Sequence, residues 1–185
     1  TLGMKHNPAL LLELARHFQN NDGVRVVVIS EGQGADWLKA KKSELDLGNL
    51  ILLPFQPFEK MPEVLAAADV LVAILEPDAG VFSVPSKVLT YLCAGKPILA
   101  AMPAENLAAR IIERTHSGIT VNPNSSKDFV SSGERLRCDT SLCTVLGKNA
   151  RIYAETVFDI KKIANTFEHM LNQYLTPQYT REQAT

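Results

Sequence analysis

The sequence lacks most of the features that settle function at a glance. It has three cysteines, Cys93, Cys138 and Cys143, an odd number at spacings that match no zinc or redox pattern. Reduced, half-buried thiols are the expectation. Its four histidines, His6, His17, His116 and His169, are scattered and form no ligand pair, so no metal site is expected. The formal net charge of −1 excludes the basic field that nucleic acid demands. The longest apolar runs, such as Val70 to Leu75, are strand-sized and far short of the roughly 20 residues of a spanning helix. The chain opens Thr-Leu-Gly-Met-Lys-His, with neither an initiating Met nor a basic region leading into an apolar one, and reads as a fragment. No G-x-G-x-x-G follows a strand, since Gly32-Gln33-Gly34 supplies two glycines and position 37 is Trp. A Walker sequence and a G-x-S-x-G elbow are absent too.

What is present is an alternation. Asn7-Pro8 reads as a helix cap followed by Pro at the first helical position, and Leu11, Leu14, Ala15 and Phe18 share one face of the helix. Val24 to Ser30 is a β-branched run of strand length. Further strands are expected at 50–54, 70–75, 98–101 and 119–121. Helices are expected at about 35–45, 61–68, 86–94 and 106–115. From Ser126 onward the pattern is helical, at roughly 126–136, 140–153 and 159–174. Strands alternating with helices predict a parallel, doubly wound, Rossmann-like α/β sheet covered on both faces, with a C-terminal helical extension. Residues 1–175 then form one domain, and 176–185 a polar tail. A helix that opens such a domain ordinarily follows a strand, so a first strand ahead of Asn7 is expected to be missing from the sequence, leaving an edge or cleft.

Ligands of such sheets lie outside the carboxyl ends of the strands. The loops that matter are therefore 31–34, 55–59, 76–86 and 102–105, together with the segment before Asn7. The stretch from Glu76 to Pro85 is long for an α/β loop and enters a helix at Ser86-Lys87. A helix N-terminus offers unpaired N–H groups and a partial positive charge, which suit phosphate. Ser86 read as a cap adds a hydroxyl and Lys87 a compact cation. Gly3 and Lys5 precede a second helix start. Two such termini, each with an amine, suit a diphosphate. Phe58 and Phe82 suit stacking on a base or plugging a local core, and Tyr91, four residues after Lys87, suits either orienting that lysine or packing. Trp37 reads as packing, and Arg110 with Arg114 as a solvated face.

Six segments in order resemble the C-terminal domain of the group 1 glycosyltransferases (glycosyltransferase family 4, GT-B type). They are Gly3-x-Lys5-x-Asn7-Pro8; the strand Val26 to Gly34 ending Ser-Glu-Gly-x-Gly; Leu50 to Pro57; and Leu65-Ala-Ala-Ala-Asp69-Val-Leu-Val. They continue with Pro85-Ser86-Lys87, Tyr91-Leu92 and Ala94-Gly95-Lys96-Pro97-Ile98, and then Asn149-Ala150-Arg151 with Phe158. The subgroup they most resemble builds bacterial polysaccharides and lipopolysaccharide side chains.

The resemblance implies the donor half of a retaining enzyme that takes a nucleoside-diphosphate sugar as substrate and needs no metal or other cofactor. The base would meet Phe55, Gln56, Pro57 and Phe58. The diphosphate would lie on Gly3, Lys5 and Lys87, with the backbone of Phe82, Ser83, Val84, Pro85 and Ser86. The acceptor would sit on an N-terminal domain outside this chain, so this fragment alone would not turn over. The resemblance further implies a cytoplasmic protein, peripheral at the inner membrane surface. One departure stands out. The family's two glutamates, eight residues apart, fall at Phe82 and Thr90 here, and Glu76 does not restore the spacing. The catalytic residue is therefore unknown. An epimerase of the same architecture and a non-catalytic binding or scaffolding module are the alternatives. The first lacks a carboxylate–histidine cluster, and the second would give no heat with any nucleoside diphosphate.

Overall fold

In a computed structural model of the protein, residues 2–3, 6–77 and 85–175 are described. Among these residues thirteen helices and strands follow one another in the order the sequence predicts, alternating as far as β5. The β-branched run gives β1 (Val26–Ile29), followed by α2 (Gln33–Glu44), β2 (Leu50–Leu53) and, after a single 3-10 turn at Phe58–Lys60, α3 (Met61–Ala66). Then come β3 (Leu71–Ile74), α4 (Ser86–Ala94), β4 (Ile98–Ala101), α5 (Leu107–Thr115) and β5 (Gly118–Val121). The first helix, α1, is Ala9–His17, and the C-terminal extension is α6 (Ser126–Cys138), α7 (Thr140–Val157) and α8 (Ile160–Leu175).

Among the described residues every strand pairing is parallel, but the strands form two pieces rather than one sheet. β1 pairs with β2, while β4 sits between β3 and β5. Among the described residues β1, β2, β3 and β5 thus each keep one edge without a ladder, and β1 and β3 do not pair with each other. The backbone of Leu2 lies beside the carboxyl end of β1: its N–H donates to Glu31 O at 2.9 Å, and Gly34 N–H donates to Leu2 O at 2.9 Å.

The two-residue period of the strands sorts the core into two layers. Ala73, Leu75, Ile98, Ala100 and Met102 point to the side of α4, α5 and α7, where they meet Val88, Leu92, Ile112 and Ala150. Val72, Ile74, Leu99, Ala101 and Val121 point to the other side, against α1 and α6. Val26, Val28 and Leu50 join that second cluster, so α1 is the wedge that unites the two pieces of sheet. Trp37 packs against it, as expected, and Arg110 and Arg114 are exposed.

Local differences from the sequence reading have local causes. Asn7 does not cap α1. It takes a left-handed φ of 41°, Pro8 occupies the cap position, and the Asn7 amide instead donates across to Pro123 O at 3.4 Å. Nor does Ser86 cap α4: Pro85 is the cap residue and Ser86 the first helical one. α2 starts two residues early because Gly32, at φ 103°, turns the chain straight into the helix. α7 runs on to Val157. Cys93 and Cys138 are exposed rather than half-buried, and all three thiols are free.

α8 is amphipathic, and its apolar side is largely exposed among the described residues. Ile160, Ile163, Phe167, Met170 and Leu171 recur at helical spacing and are 37–73% exposed. No helix among the described residues is long and apolar enough to cross a membrane.

Candidate functional site

The carboxyl ends of the parallel strands form the rim on which the site loops converge. The loop after β2 carries Phe55 and Phe58, which are 50% and 80% exposed. Neither plugs a local core, which removes the structural explanation for two aromatic side chains in one loop. Gln56 folds its amide back onto Pro54 O at 2.9 Å. Farther along, Pro77, Met102 to Glu105 and Thr120 to Asn124 line a cleft of about 310 Å³ at the ends of β3, β4 and β5. The loop 102–105, expected from topology alone, is thus part of an open cavity.

α4 brings Lys87 to this region in its first turn. Pro85 lends no N–H and takes an extended backbone, and the amides of Ser86 and Lys87 open the helix in the first turn, where N–H groups have no intrahelical partner. Lys87 lies at the surface, yet neighbouring atoms withhold water from its amine, and this burial lowers its pKa below that of an ordinary lysine. An amine short of water gains more from an anion than a fully solvated one does. Tyr91, one turn on, packs against the cluster beneath α4, and its burial raises the phenol's pKa. Packing is therefore the role the structure gives it. Gly3 is half-buried beside the Leu2 backbone bonds. Lys5, Phe82, Ser83 and Val84 lie outside the described residues, so the pairing of Lys5 with Lys87 is not among the observed contacts. Thr90, on α4, is exposed.

The far end of α4 is where the sequence reading missed something. Gly95 ends the helix in the left-handed conformation at φ 65°, as the Gly-Lys-Pro run predicts. What holds that end is α7. Arg151 Nη1 donates to Cys93 O at 2.9 Å while its Nε donates to Glu155 at 2.7 Å. Gly147 lets α7 come so close that an added Cβ would lie 2.5 Å from Gly95 O. Two residues on, Asn149 donates to His116 O at 3.0 Å and ties the end of α5 to the same helix. α7 therefore fixes both helices whose other ends open on the rim. The Asn-Ala-Arg triplet was the available signal, but a sequence does not say what it reaches.

Comparison with known proteins decides the family. The sequence profile of the glycosyl transferases group 1 matches residues 1–153. The chain belongs to this family. No curated protein matches it in sequence. Among solved structures it is similar to Anabaena HepE in complex with UDP and glucose, with 19% identity and a TM-score of 0.74 over 93% of this chain and 46% of that one. WaaG, a glycosyltransferase involved in lipopolysaccharide biosynthesis, matches at 20% identity and a TM-score of 0.63, over 83% of this chain and 39% of WaaG. S. aureus TarM, solved with UDP among its ligands, matches at 14% identity and a TM-score of 0.73, over 93% of this chain and 34% of that one. The chain thus has the fold of one half of a GT-B glycosyltransferase and spans less than half the length of each of these proteins.

Proposed function

We propose that this glycosyltransferase chain is the donor half of a retaining, hexosyltransferase-type enzyme that moves a sugar from a nucleoside-diphosphate sugar to a glycan or lipid-linked acceptor. The carrying observation is the place of Lys87: an amine in the first turn of α4, the helix that follows β3, at the rim where a parallel sheet receives its ligand. A leaving diphosphate gathers negative charge as the glycosidic bond breaks, and preorganised N–H groups with a fixed cation stabilise that charge. Phe55 and Phe58 would meet the base, and Gly3, Lys5 and the backbone from Phe82 to Ser86 would complete the diphosphate cradle. HepE structures hold UDP and UDP-glucose, which supports a nucleotide-sugar donor here.

The same reading places the acceptor site on a second, N-terminal domain and a further strand ahead of Leu2, beside the unpaired edge of β1. Catalysis then requires the closed cleft between two lobes, and the present chain alone would not turn over. Polysaccharide or lipopolysaccharide assembly at the cytoplasmic membrane surface is the setting that fits a lipid-linked acceptor.

In the two-lobed enzyme, Lys87→Ala should weaken nucleoside-diphosphate binding by about 1–3 kcal/mol, the scale of a charge-assisted hydrogen bond. Calorimetric titration with UDP reads this directly, and unchanged affinity would return Lys87 to the status of a surface residue. The pH dependence has a definite sign. Lys87 binds the anion while protonated and its pKa is lowered, so affinity should decline with rising pH earlier than an ordinary lysine allows. Lys87→Arg should flatten that decline, since guanidinium does not titrate in this range.

A further inference from the structure

β3 delivers one carboxylate to the rim. Glu76 follows Leu75, whose N–H still donates to Ala101 O at 2.8 Å and so extends the ladder with β4. Leu75 belongs to the α4 side of the sheet, and Ile74 to the α1 side. Continuing the alternation, Glu76 falls on the α1 side, the side on which the glycine segment precedes Asn7. Its Oε1 is buried and has no hydrogen-bond partner. Among the described residues the only other such side-chain atom is Asn49 Oδ1, whose amide nitrogen is bonded to Ala15 O and which lies at the amino end of β2, the end opposite the rim. The two carboxylates that line the cleft differ. Glu105 is exposed where it lines the cleft, and Glu113 is engaged by the Thr120 hydroxyl.

A buried carboxylate oxygen without a donor is rare in folded proteins, because it has given up water for nothing. Native structures keep such a group where its donor is an ordered water or arrives with a ligand. The charge of Glu76 narrows the ligand group. A carboxylate only accepts and repels a diphosphate, so the part of a nucleotide sugar it suits is a sugar hydroxyl. The two positions at which the family places glutamates are Phe82 and Thr90, which accept nothing of this kind through a carboxylate.

We infer that Glu76 accepts a hydrogen bond from a hydroxyl of the donor sugar and is a specificity-determining residue for the transferred hexose. This rests on the nucleotide-sugar reading above. A site built to pair a hydroxyl rejects a sugar that lacks it or turns it away, because the buried acceptor is then left unpaired.

The test is calorimetry on the complete two-lobed polypeptide, titrating wild type and Glu76→Gln with UDP and with UDP-glucose, UDP-galactose and UDP-N-acetylglucosamine. The inference expects one UDP-sugar to lose about ten- to hundredfold in affinity on Glu76→Gln, while UDP alone changes less than twofold. Glu76→Asp, which keeps the charge but shortens the reach, should fall between the two. Thermal melts of both variants establish that the fold is intact. Unchanged affinity for every UDP-sugar overturns the assignment and identifies water as the partner. An equal loss for UDP and its sugars overturns it too, by placing Glu76 on the nucleotide. If wild type binds none of the four ligands and no GDP, ADP or dTDP either, the donor reading itself has failed, an outcome distinct from both.

Discussion

Gly118→Ala should destabilise the domain by more than about 3 kcal/mol, since its added Cβ would make the closest approach among the described glycines. Gly118 opens β5 directly opposite Ile98 of β4. An added Cβ would sit 2.1 Å from Ile98 O and 2.9 Å from both its carbonyl carbon and its own Cβ. Two of those three atoms are backbone in a central strand whose side chain is fully buried, so no flexible group can yield. The strands must separate, which breaks ladder hydrogen bonds and opens packing beneath α5. Urea denaturation followed by circular dichroism measures the loss. A shift under 1 kcal/mol would show that β5 drifts away from β4 at little expense, and the cleft lined by Thr120 to Asn124 would then be soft.

Gly147→Val should cost about 2–4 kcal/mol and should also weaken donor binding in the two-lobed enzyme, although Gly147 lies at the opposite end of α4 from Lys87. The first methyl already meets Gly95 O at 2.5 Å and its carbonyl carbon at 3.3 Å. Gly95 cannot relax freely, since it holds φ 65° and its neighbour Cys93 is bonded to Arg151. Pushing α7 outward therefore tilts or frays α4, and the Ser86 and Lys87 amides move with it. A stability assay combined with UDP titration separates the consequences: lost stability with unchanged UDP affinity would mean that α4 holds its N-terminus without α7.

Much of the architecture was legible because its causes are local. Val26 to Ile29 can hardly be anything but a strand, and Gly95 before Lys-Pro had to end a helix. The family emerged from the order of short segments, Pro85-Ser86-Lys87 above all. What stayed hidden depends on residues distant in sequence. The departure of Asn7 from a cap follows from Pro123, 116 residues away, and the closeness of Gly147 to Gly95 follows from how two helices cross. The split between β1 and β3 is a matter of pairing partners, which no strand pattern encodes. Glu76 is the clearest case. Counting residues showed only that it missed the family spacing; the unpaired oxygen is a property of its surroundings.

The bare side of α8 sets how this domain must be handled. Phe167 and Leu171 keep 59% and 58% of their area in water, and Ile160 keeps 73%. Conditions that penalise wetted hydrocarbon will therefore act on this helix first. Sulfate, which strengthens apolar association, should bring the chain out of solution early, and a mild detergent that coats the stripe should keep it dispersed. Purification buffers are then a readout of one helix rather than of the whole fold.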